Sequence, residues 1–227
     1  CVHVNTETLK KRAQDGYYKY VVSGCDWGGS EFLPELSTRE SYTVHAVIGI
    51  RSNGDTDILH FRRYAGMGYK NIINLIVQDH LDWGGGAMAV DAGVGDAYIE
   101  HILNSSIPRD RLVIFRYNSN MHQIISSARV EHRALRRFNL NRTETLTTMF
   151  DAIKRSDDLG GPRLRCYSYE LAKPYLQEFL NLYRVPHEDV NSGVTRFLYR
   201  KHGARPDDSL HVVNFAYVLA RVLTGEP

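Results

Sequence analysis

The stretch VVSGCDWGGS, residues 21–30, places an aspartate between a β-prone run and a glycine-rich turn. Aromatic and β-branched residues from 17 to 25 predict a strand that stops at Asp26. A carboxylate at a strand end, followed by glycines, projects into a crevice where a ligand can approach the backbone. Three interpretations fit this stretch alone: a metal ligand, a loop that holds nucleotide phosphates, and a carboxylate that only caps a turn.

A second aspartate stands in a similar setting. Asp91 ends the apolar run 87–91, which we read as part of a strand over 87–95, and Ala-Gly-Val-Gly follows it. Taken alone, Asp91 also fits the opening of a turn. If the fold brings the two acids into one crevice, they repel each other and need a cation there. Hard oxygen ligands favour Mg²⁺ or Mn²⁺, and two such ions about 4 Å apart can clamp a phosphodiester.

The last helix, expected over 206–223, supplies a third acidic position. Its apolar stripe includes Val212, and one turn before Val212 lies Asp208, so Asp208 is predicted to face the sheet. Asp207 lies about 100° round the helix. Both acids also suit the first turn of any helix because of its dipole, which is the structural alternative.

The order of elements predicts an α/β domain. Strands at 17–25, 42–52 and 57–65 are expected to pair antiparallel, the last two around the hairpin signal NGDT. The β/α alternation from 69 to 118 favours parallel strands after them, so the sheet is mixed and flanked by helices. We further expect a linker or short helix at 1–16, helices at 69–82, 96–105, 144–156 and 171–183 (the last shortened to a loop and a helix if Pro174 breaks it), strands at 111–118, 162–169 and 194–202, and a long irregular stretch at 119–143.

Composition excludes several classes of protein. The chain has 227 residues, 43% hydrophobic and 24% charged, as expected for a domain with a sizeable core over 17–227. It contains no apolar run near the ~20 residues that span a bilayer, so no membrane partner is expected. Cys1, Cys25 and Cys166 are far apart and form no CxxC, which argues against a disulfide framework or zinc site.

Two basic clusters flank these acidic positions in the sequence, at 132–142 and 199–206. A net charge of +2 is too small to demonstrate a nucleic-acid partner, and each cluster alone also fits a solvated surface. Beside an acidic metal site, however, they suit a phosphate backbone. We therefore predict DNA-backbone contacts from Arg136, Arg137, Arg200 and Lys201; Arg133, Arg142, His202 and Arg205 complete the clusters.

The sequence resembles the C-terminal nuclease domain of phage large terminase subunits, which has an RNase H-like fold. The matching stretches are VVSGCDWGGS, TVHAVIGIRSNGDTDILHFRRY, AVDAGVGDAYI and HGARPDDSLHVVNFAYVLA, and the resemblance spans roughly residues 17–224. It implies a two-metal endonuclease that cuts concatemeric viral DNA during genome packaging in the cytoplasm of an infected bacterium.

Carried over, the resemblance makes Asp26, Asp91 and Asp208 the ligands of two Mg²⁺ or Mn²⁺ ions, with Asp207 as a helper or alternative. The family helix often has another acid one turn later, where this chain has His211. That histidine is expected to ligate metal, orient water or contact phosphate, or else simply to be half-buried.

The implied partners are double-stranded DNA and, in the intact protein, an N-terminal ATPase domain, a small terminase subunit and the portal of the procapsid. No GxxxxGK[ST] phosphate loop occurs in the chain, and its first residue is Cys1, so we expect a piece of a longer protein that lacks the ATPase motor. Three rival classes remain: another RNase H-like enzyme such as a resolvase or transposase core, an actin- or sugar-kinase-like ATP-binding domain, and a non-cutting module that docks DNA or portal.

Overall fold

The computed structural model describes residues 4–28, 42–93, 96–118, 121–128, 136–155, 160–161, 163–166, 169–188 and 195–225. Its elements, in chain order, are α1 (Thr6–Gln14), β1 (Tyr20–Asp26), β2 (Thr43–Ile50), β3 (Thr56–Tyr64), α2 (Tyr69–Asp82), β4 (Ala87–Asp91), α3 (Asp96–Leu103), β5 (Leu112–Tyr117), β6 (Ile125–Ser127), β7 (Arg136–Leu140), α4 (Arg142–Lys154), β8 (Leu164–Cys166), α5 (Tyr169–Leu176), β9 (Leu182–Glu188), β10 (Thr195–Lys201) and α6 (Asp208–Thr224).

Eight strands form one mixed sheet in the order β6-β7-β5-β4-β1-β2-β3-β8. The first three strands pair antiparallel, as the sequence predicts. Strand β4 then joins β1 in parallel, β5 joins β4, and β7 joins β5. Because β1 and β4 are parallel neighbours, their carboxyl ends meet at the same edge, which we call the acid edge after Asp26 and Asp91.

Helix α6 lies directly on β1, and Gly24 makes this approach possible. A Cβ built on Gly24 would stand 2.3 Å from the backbone oxygen of Val212 and 3.1 Å from the nitrogen of Ala216. Any side chain here would therefore push the helix away from the sheet. The close contact places the first turn of α6 over the last residues of β1, and the core around it includes Phe115, Leu210 and Phe215.

The second face of the sheet packs against α1, α2 and α3. Its core includes Ile73 and Ile76 of α2 and Ile102 of α3, and α1 adds Leu9 and Ala13. A helix thus occupies part of the 1–16 segment, one of the two forms expected there. Within the described residues, no helix has both the length and the apolar character required to cross a bilayer.

The prediction of an irregular stretch at 119–143 is wrong for the part of it that the structure describes. It contains the short strand β6 and strand β7, which extends the parallel part of the sheet. The sequence of β7 does not predict a strand, because it begins with Arg136 and Arg137 and has only Phe138 and Leu140 as apolar residues. Arg133 lies outside the described residues, as do Gly29 and the turn tip 94–95.

The helix predicted at 171–183 also needs correction. Helix α5 ends at Leu176, a 3₁₀ turn follows at Gln177–Asn181, and Leu182 begins β9. Pro174 lies inside α5, against expectation. In an eight-residue helix it removes a single backbone hydrogen bond and the helix ends two residues later, so the disruption is small. The segment 194–202 is confirmed as a hairpin arm, because β10 pairs with β9.

Candidate metal-dependent nuclease site

The sheet register places Asp26 and Asp91 side by side. Cys25 pairs with Val90, so the next residue of each parallel strand is an aspartate. Asp91 lies beside Phe115 of β5, whose side chain belongs to the core under α6. Neighbouring residues across a sheet point to the same face, so both carboxylates lie on the α6 face. Both are half-buried.

Trp27 ties the two strand ends together. Its indole nitrogen donates a hydrogen bond of 3.0 Å to the backbone oxygen of Asp91. The ring is buried and contacts Tyr98 of α3. On the other side of β1, the backbone nitrogen of Gly28 donates to the hydroxyl of Thr43 at 3.0 Å. The crevice is therefore braced through β4 and β2 immediately after Asp26.

Asp91 also fulfils the turn role that the sequence left open. Its carboxylate lies against the backbone of Gly93, and the backbone nitrogen of Ala92 donates to the backbone oxygen of Phe115 at 2.8 Å. A Cβ on Gly93 would stand 2.4 Å from Asp91 Oδ2, so glycine is required for this approach. Burial raises the pKa of Asp91, and these backbone groups, together with His211 and Arg116, offset part of that rise. Asp91 thus shapes the turn while its side chain stays half-exposed at the crevice.

The first turn of α6 brings Asp208 to the same crevice. Asp208 is 8% exposed, and its Oδ2 accepts a hydrogen bond of 3.1 Å from the backbone nitrogen of Tyr42. The backbone nitrogen of Ser209 donates to Glu178 Oε2 at 2.7 Å, so a buried glutamate caps the helix from outside. Arg63 of β3 donates to the other oxygen of Glu178. The positive end of the helix dipole favours these carboxylates.

Asp207 is held differently from its neighbour. Lys201 Nζ donates to Asp207 Oδ1 at 2.5 Å, and His211 Nε2 lies 3.1 Å from Oδ2. Arg142 Nη2 is 3.8 Å from the same oxygen. Burial raises the pKa of Asp207, but His211 and Lys201 outweigh it and lower the pKa to about 2. Asp207 therefore already has hydrogen-bond and charge partners within the protein.

Asp26 has the opposite electrostatic environment. Burial raises its pKa well above the usual range, and the charges of Asp91, Asp208 and Asp207 raise it further, in that order. The backbone amide of Trp27 opposes the rise only in part. A carboxylate surrounded by carboxylates has a strong electrostatic preference for a bound cation. Asp208 acts on Asp26 more strongly than Asp207 does, which agrees with the predicted phase of α6.

The donor set fits a hard divalent cation in its chemistry, because it consists of carboxylate oxygens. Among the described side chains, no group of three Asp, Glu, His or Cys residues has the geometry of a metal site. Asp91, Asp208 and Asp207 all lie close enough to raise the pKa of Asp26. Which of these acids bind a metal ion is a proposal.

The predicted basic contacts separate into different regions. Lys201 contacts Asp207 and so lies at the crevice, whereas Arg200, its neighbour in β10, is exposed and points to the other side of the hairpin. Arg136 is exposed near the start of β7. Arg137 points away from the acid face, because Phe138 beside it pairs with Phe115 on that face.

Four further residues of the site escaped sequence analysis as site residues: Trp27, Tyr117, Arg142 and Glu178. Trp27 stood within the quoted stretch, but only its indole hydrogen bond reveals a role. Arg142 was placed in a basic cluster without a function. Tyr117 ends β5 one strand beyond Asp91, and this strand-end position was the one available signal for it. Nothing in the sequence around Glu178 indicates a helix cap 31 residues away.

Solved structures that share this fold include large terminase nucleases. A point mutant of the Sf6 large terminase nuclease domain, crystallised with calcium, matches at a TM-score of 0.54 with 10% identity, over 96% of this chain and 99% of that one. The thermophilic phage G20c large terminase nuclease with bound magnesium matches at 0.53 with 16% identity, over 88% and 80%. This chain has the fold of a terminase nuclease domain.

The predicted RNase H-like architecture is thereby confirmed. The terminase-nuclease fold also matches the HK97 bacteriophage large terminase at a TM-score of 0.50 and 13% identity, over 96% of this chain but only 43% of that protein. Sf6 nuclease structures include complexes with manganese. No family model matches the sequence, and no curated protein matches it. At identities this low, the structural match establishes the shared fold only, and the activity has to be argued from the site.

Proposed function

We propose that this chain is a metal-dependent DNA endonuclease that cuts viral DNA during genome packaging. The observation that carries the proposal is the environment of Asp26, whose carboxylate is buried among Asp91, Asp208 and Asp207 at one sheet edge. The shared fold with terminase nucleases, some of them crystallised with magnesium or manganese, supports the same conclusion. Double-stranded DNA is the proposed substrate.

The proposed roles follow from the positions of the acids. Asp26 and Asp91 hold cations from adjacent strand ends, and Asp208 completes the set from the helix. Two bound Mg²⁺ or Mn²⁺ ions would supply an activated water and stabilise the leaving oxygen of a phosphodiester. Trp27 keeps the strand ends together, and Glu178 fixes the start of α6. Asp207 is a helper that binds Lys201 and His211 rather than a cation.

The proposed backbone contacts to DNA come from Arg200, Arg136, Arg137 and Lys201. Lys201 lies nearest the acids, through its contact with Asp207, and Arg200 is exposed beside it on the other side of the hairpin. Arg137 has the weakest support, since it points to the opposite face. Such contacts position DNA without reading its sequence. An ATPase domain, a small terminase subunit and a portal are the proposed partners of the intact protein, in the cytoplasm of the infected host.

The deciding experiment incubates the pure chain with supercoiled plasmid in Mn²⁺, Mg²⁺ or EDTA. We expect nicked and linear products with either ion and none in EDTA, and no cutting by Asp26→Asn in any condition. Equal cutting by Asp26→Asn and the wild type would overturn the assignment of the site. An inert chain that binds ATP would instead favour the nucleotide-binding alternative, and an inert chain that binds DNA would favour a docking module.

A further inference from the structure

Arg63 of β3 contacts both groups that hold the first turn of α6. Its guanidinium donates to Glu178, whose Oε2 accepts from the backbone nitrogen of Ser209 at 2.7 Å. It also lies 4.4 Å from the centre of the Tyr42 ring, and the backbone nitrogen of Tyr42 donates to Asp208 Oδ2 at 3.1 Å. We propose that Arg63 is a positioning residue that fixes Asp208 in the crevice by tying the first turn of α6 to the sheet. The effect on cations rests on the proposed function, whereas the two hydrogen bonds do not.

The start of α6 depends on groups outside the helix. Among the described residues, its N-cap residue Asp207 makes no capping hydrogen bond with its side chain, so the amides of the first turn need other acceptors. Glu178 supplies one acceptor from the 3₁₀ turn that follows α5. The close approach at Gly24 involves Val212 and Ala216, one and two turns further along the helix. That approach sets the depth of α6 on the sheet without fixing the position of its first turn.

The sheet register puts Arg63 in the same row as Asp26. Val44 pairs with Asp26 on one side and with Arg63 on the other. Residues paired across a sheet point to the same face, and Val44 is buried in the core under α6. Two strand spacings, about 10 Å, therefore separate the backbones of Arg63 and Asp26. A contact from Arg63 to the start of α6 thus fixes the helix relative to Asp26 through paired strands.

The guanidinium of Arg63 is itself held in place. The ring of Tyr175 lies 5.4 Å from it, and Tyr175 stacks on Phe61 of the same strand with ring centres 4.8 Å apart. The Nε of Arg63 has no hydrogen-bond partner among the described residues, so the tyrosine rings and Glu178 hold the group through its planar face and a terminal nitrogen. A planar guanidinium suits both kinds of contact, whereas the ammonium of a lysine does not.

Loss of the Arg63 side chain weakens both contacts to α6. Glu178 is 3% exposed, and a buried carboxylate without a positive partner is costly. The glutamate would turn towards water and release the amide of Ser209, while Tyr42 would lose the cation that lies against its ring. Asp208 would then occupy several positions relative to the strand-end acids. A cation that needs all of these carboxylates at once would bind more weakly.

The two hydrogen bonds are measured without metal or DNA. Hydrogen exchange followed by NMR reports the protection of the backbone amides of Ser209 and Tyr42 in the metal-free chain. In Arg63→Gln we expect both amides to exchange about tenfold faster, as for the loss of one hydrogen bond. The rates are compared with that of Val22 in the middle of β1, which reports opening of the whole sheet.

Arg62→Gln is the matched control. Arg62 is the next residue along β3 towards its start, donates to Asp79 at 3.0 Å and lies 5.2 Å from the centre of the Tyr64 ring. It therefore makes the same two kinds of contact as Arg63, but on the opposite face of the sheet. Arg62→Gln should leave the exchange of Ser209 unchanged.

Cation affinity tests the consequence of the positioning. Calorimetry with Mn²⁺ and no DNA should show binding about 10–100-fold weaker in Arg63→Gln, the range for changes behind the ligands of a metal site. Arg63→Lys keeps the charge beside Glu178 but not the flat contact with the rings, so we expect a smaller loss in the same direction. If Arg63→Gln does not fold, Arg63→Lys decides, and an affinity equal to that of the wild type overturns the proposal.

A direct contact of Arg63 with DNA predicts a different pattern. Fluorescence anisotropy with a labelled duplex in Ca²⁺ would then show weaker binding, while Mn²⁺ affinity and amide exchange stay as in the wild type. That result overturns the proposal, as do equal changes in Arg62→Gln. A wild type that binds no Mn²⁺ and cuts no plasmid would count against the proposed nuclease, whereas amide exchange would still decide whether Arg63 holds the start of α6.

Discussion

The two faces of the central sheet both bury ionisable side chains, but they differ in chemistry. On the α6 face, Asp26 and Asp91 lie at strand ends beside the first turn of a helix. On the other face, His45, the third residue of β2, is fully buried, and His80 of α2 lies nearby, 1% exposed. His45 pairs with Cys25, the residue before Asp26, so the two cases differ in the face of the sheet and its cover rather than in distance from the edge.

The histidines are neutral members of the core. Burial lowers the pKa of His45 to about 3, and neither ring nitrogen has a hydrogen-bond partner among the described residues. Burial also lowers the pKa of His80 to about 4, and its Nδ1 lies 2.8 Å from the hydroxyl of Ser23. The two buried histidines thus resist protonation on one face. On the other face, the raised pKa of Asp26 means that its carboxylate favours a bound proton or cation. The two faces should respond oppositely to mutation and to pH.

The largest contrast is expected between Asp26→Asn and Asp79→Asn. Loss of Asp26 should reduce plasmid cleavage by more than about 100-fold, since even changes outside the first ligand shell cost 10–100-fold. Without metal it should raise the melting temperature, because a repelled carboxylate is gone. Asp79 accepts from Arg62 and Tyr64, and its pKa is lowered, so Asp79→Asn should lower the melting temperature and keep cleavage. Calorimetry and plasmid assays on both variants check this, and stability shifts of the same sign would contradict it.

Acid should destabilise the chain through the histidine face. A folded pKa below the unfolded value of 6.5 means that the unfolded state takes up protons first, so this stability is present at neutral pH and is lost as pH falls below 6.5. For His45 we expect a loss of about 2 kcal/mol by pH 5. Urea unfolding at pH 7.5 and pH 5.0 measures the loss, which should shrink in His45→Phe.

A matched substitution outside the core sharpens the same test. His187 lies exposed in β9, so His187→Gln should leave the pH dependence of the unfolding free energy unchanged. If His187→Gln flattened the pH dependence as much as His45→Phe does, the buried ring would not be its source.

The sequence predicts the acid face better than the histidine face. Strand-end aspartates followed by glycines, and the stripe of α6, single out Asp26, Asp91 and Asp208, and the resemblance to terminase nucleases predicts that they meet. The first three antiparallel strands and the parallel strands after them follow from local pattern in the same way. Those features depend on residues close in sequence, where periodicity and turn chemistry act.

Features that depend on distant partners could not be predicted. His45 looks like any alternating residue of a strand, and its isolation appears only when α2 covers the sheet. The cap from Glu178 and the hydrogen bond from Trp27 to the end of β4 join segments 31 and 64 residues apart. The arginine-rich start of β7 reads as surface, and only its pairing with β5 makes it a strand.

Gly24 links the acid face to the packing of α6, and its substitution tests that link. Gly24→Ala places a methyl group 2.3 Å from the oxygen of Val212, so the helix must move. We expect a loss of about 1–3 kcal/mol in the free energy of unfolding. Cleavage should also be weaker, because the displaced helix carries Asp208 away from Asp26. Gly86→Ala is the control, since its added methyl meets only the oxygen of Val21 at 3.5 Å. Urea unfolding of both variants measures the difference, and equal losses would show that the approach of α6 is not tight.

The smallest expected effect concerns DNA binding outside the crevice. Arg200 is exposed on β10 next to Lys201, the residue that reaches the acid crevice, whereas Lys11 is exposed on α1, which packs on the histidine face. Arg200→Gln should weaken binding to any duplex uniformly and reduce the slope of log K against log salt by about 1. Lys11→Gln removes the same charge and should leave that slope unchanged, because α1 lies on the other side of the sheet. Fluorescence anisotropy with a labelled duplex in Ca²⁺ at several salt concentrations measures both slopes. Equal slopes for the two variants would mean that DNA binding depends only on net charge and that Arg200 makes no specific phosphate contact.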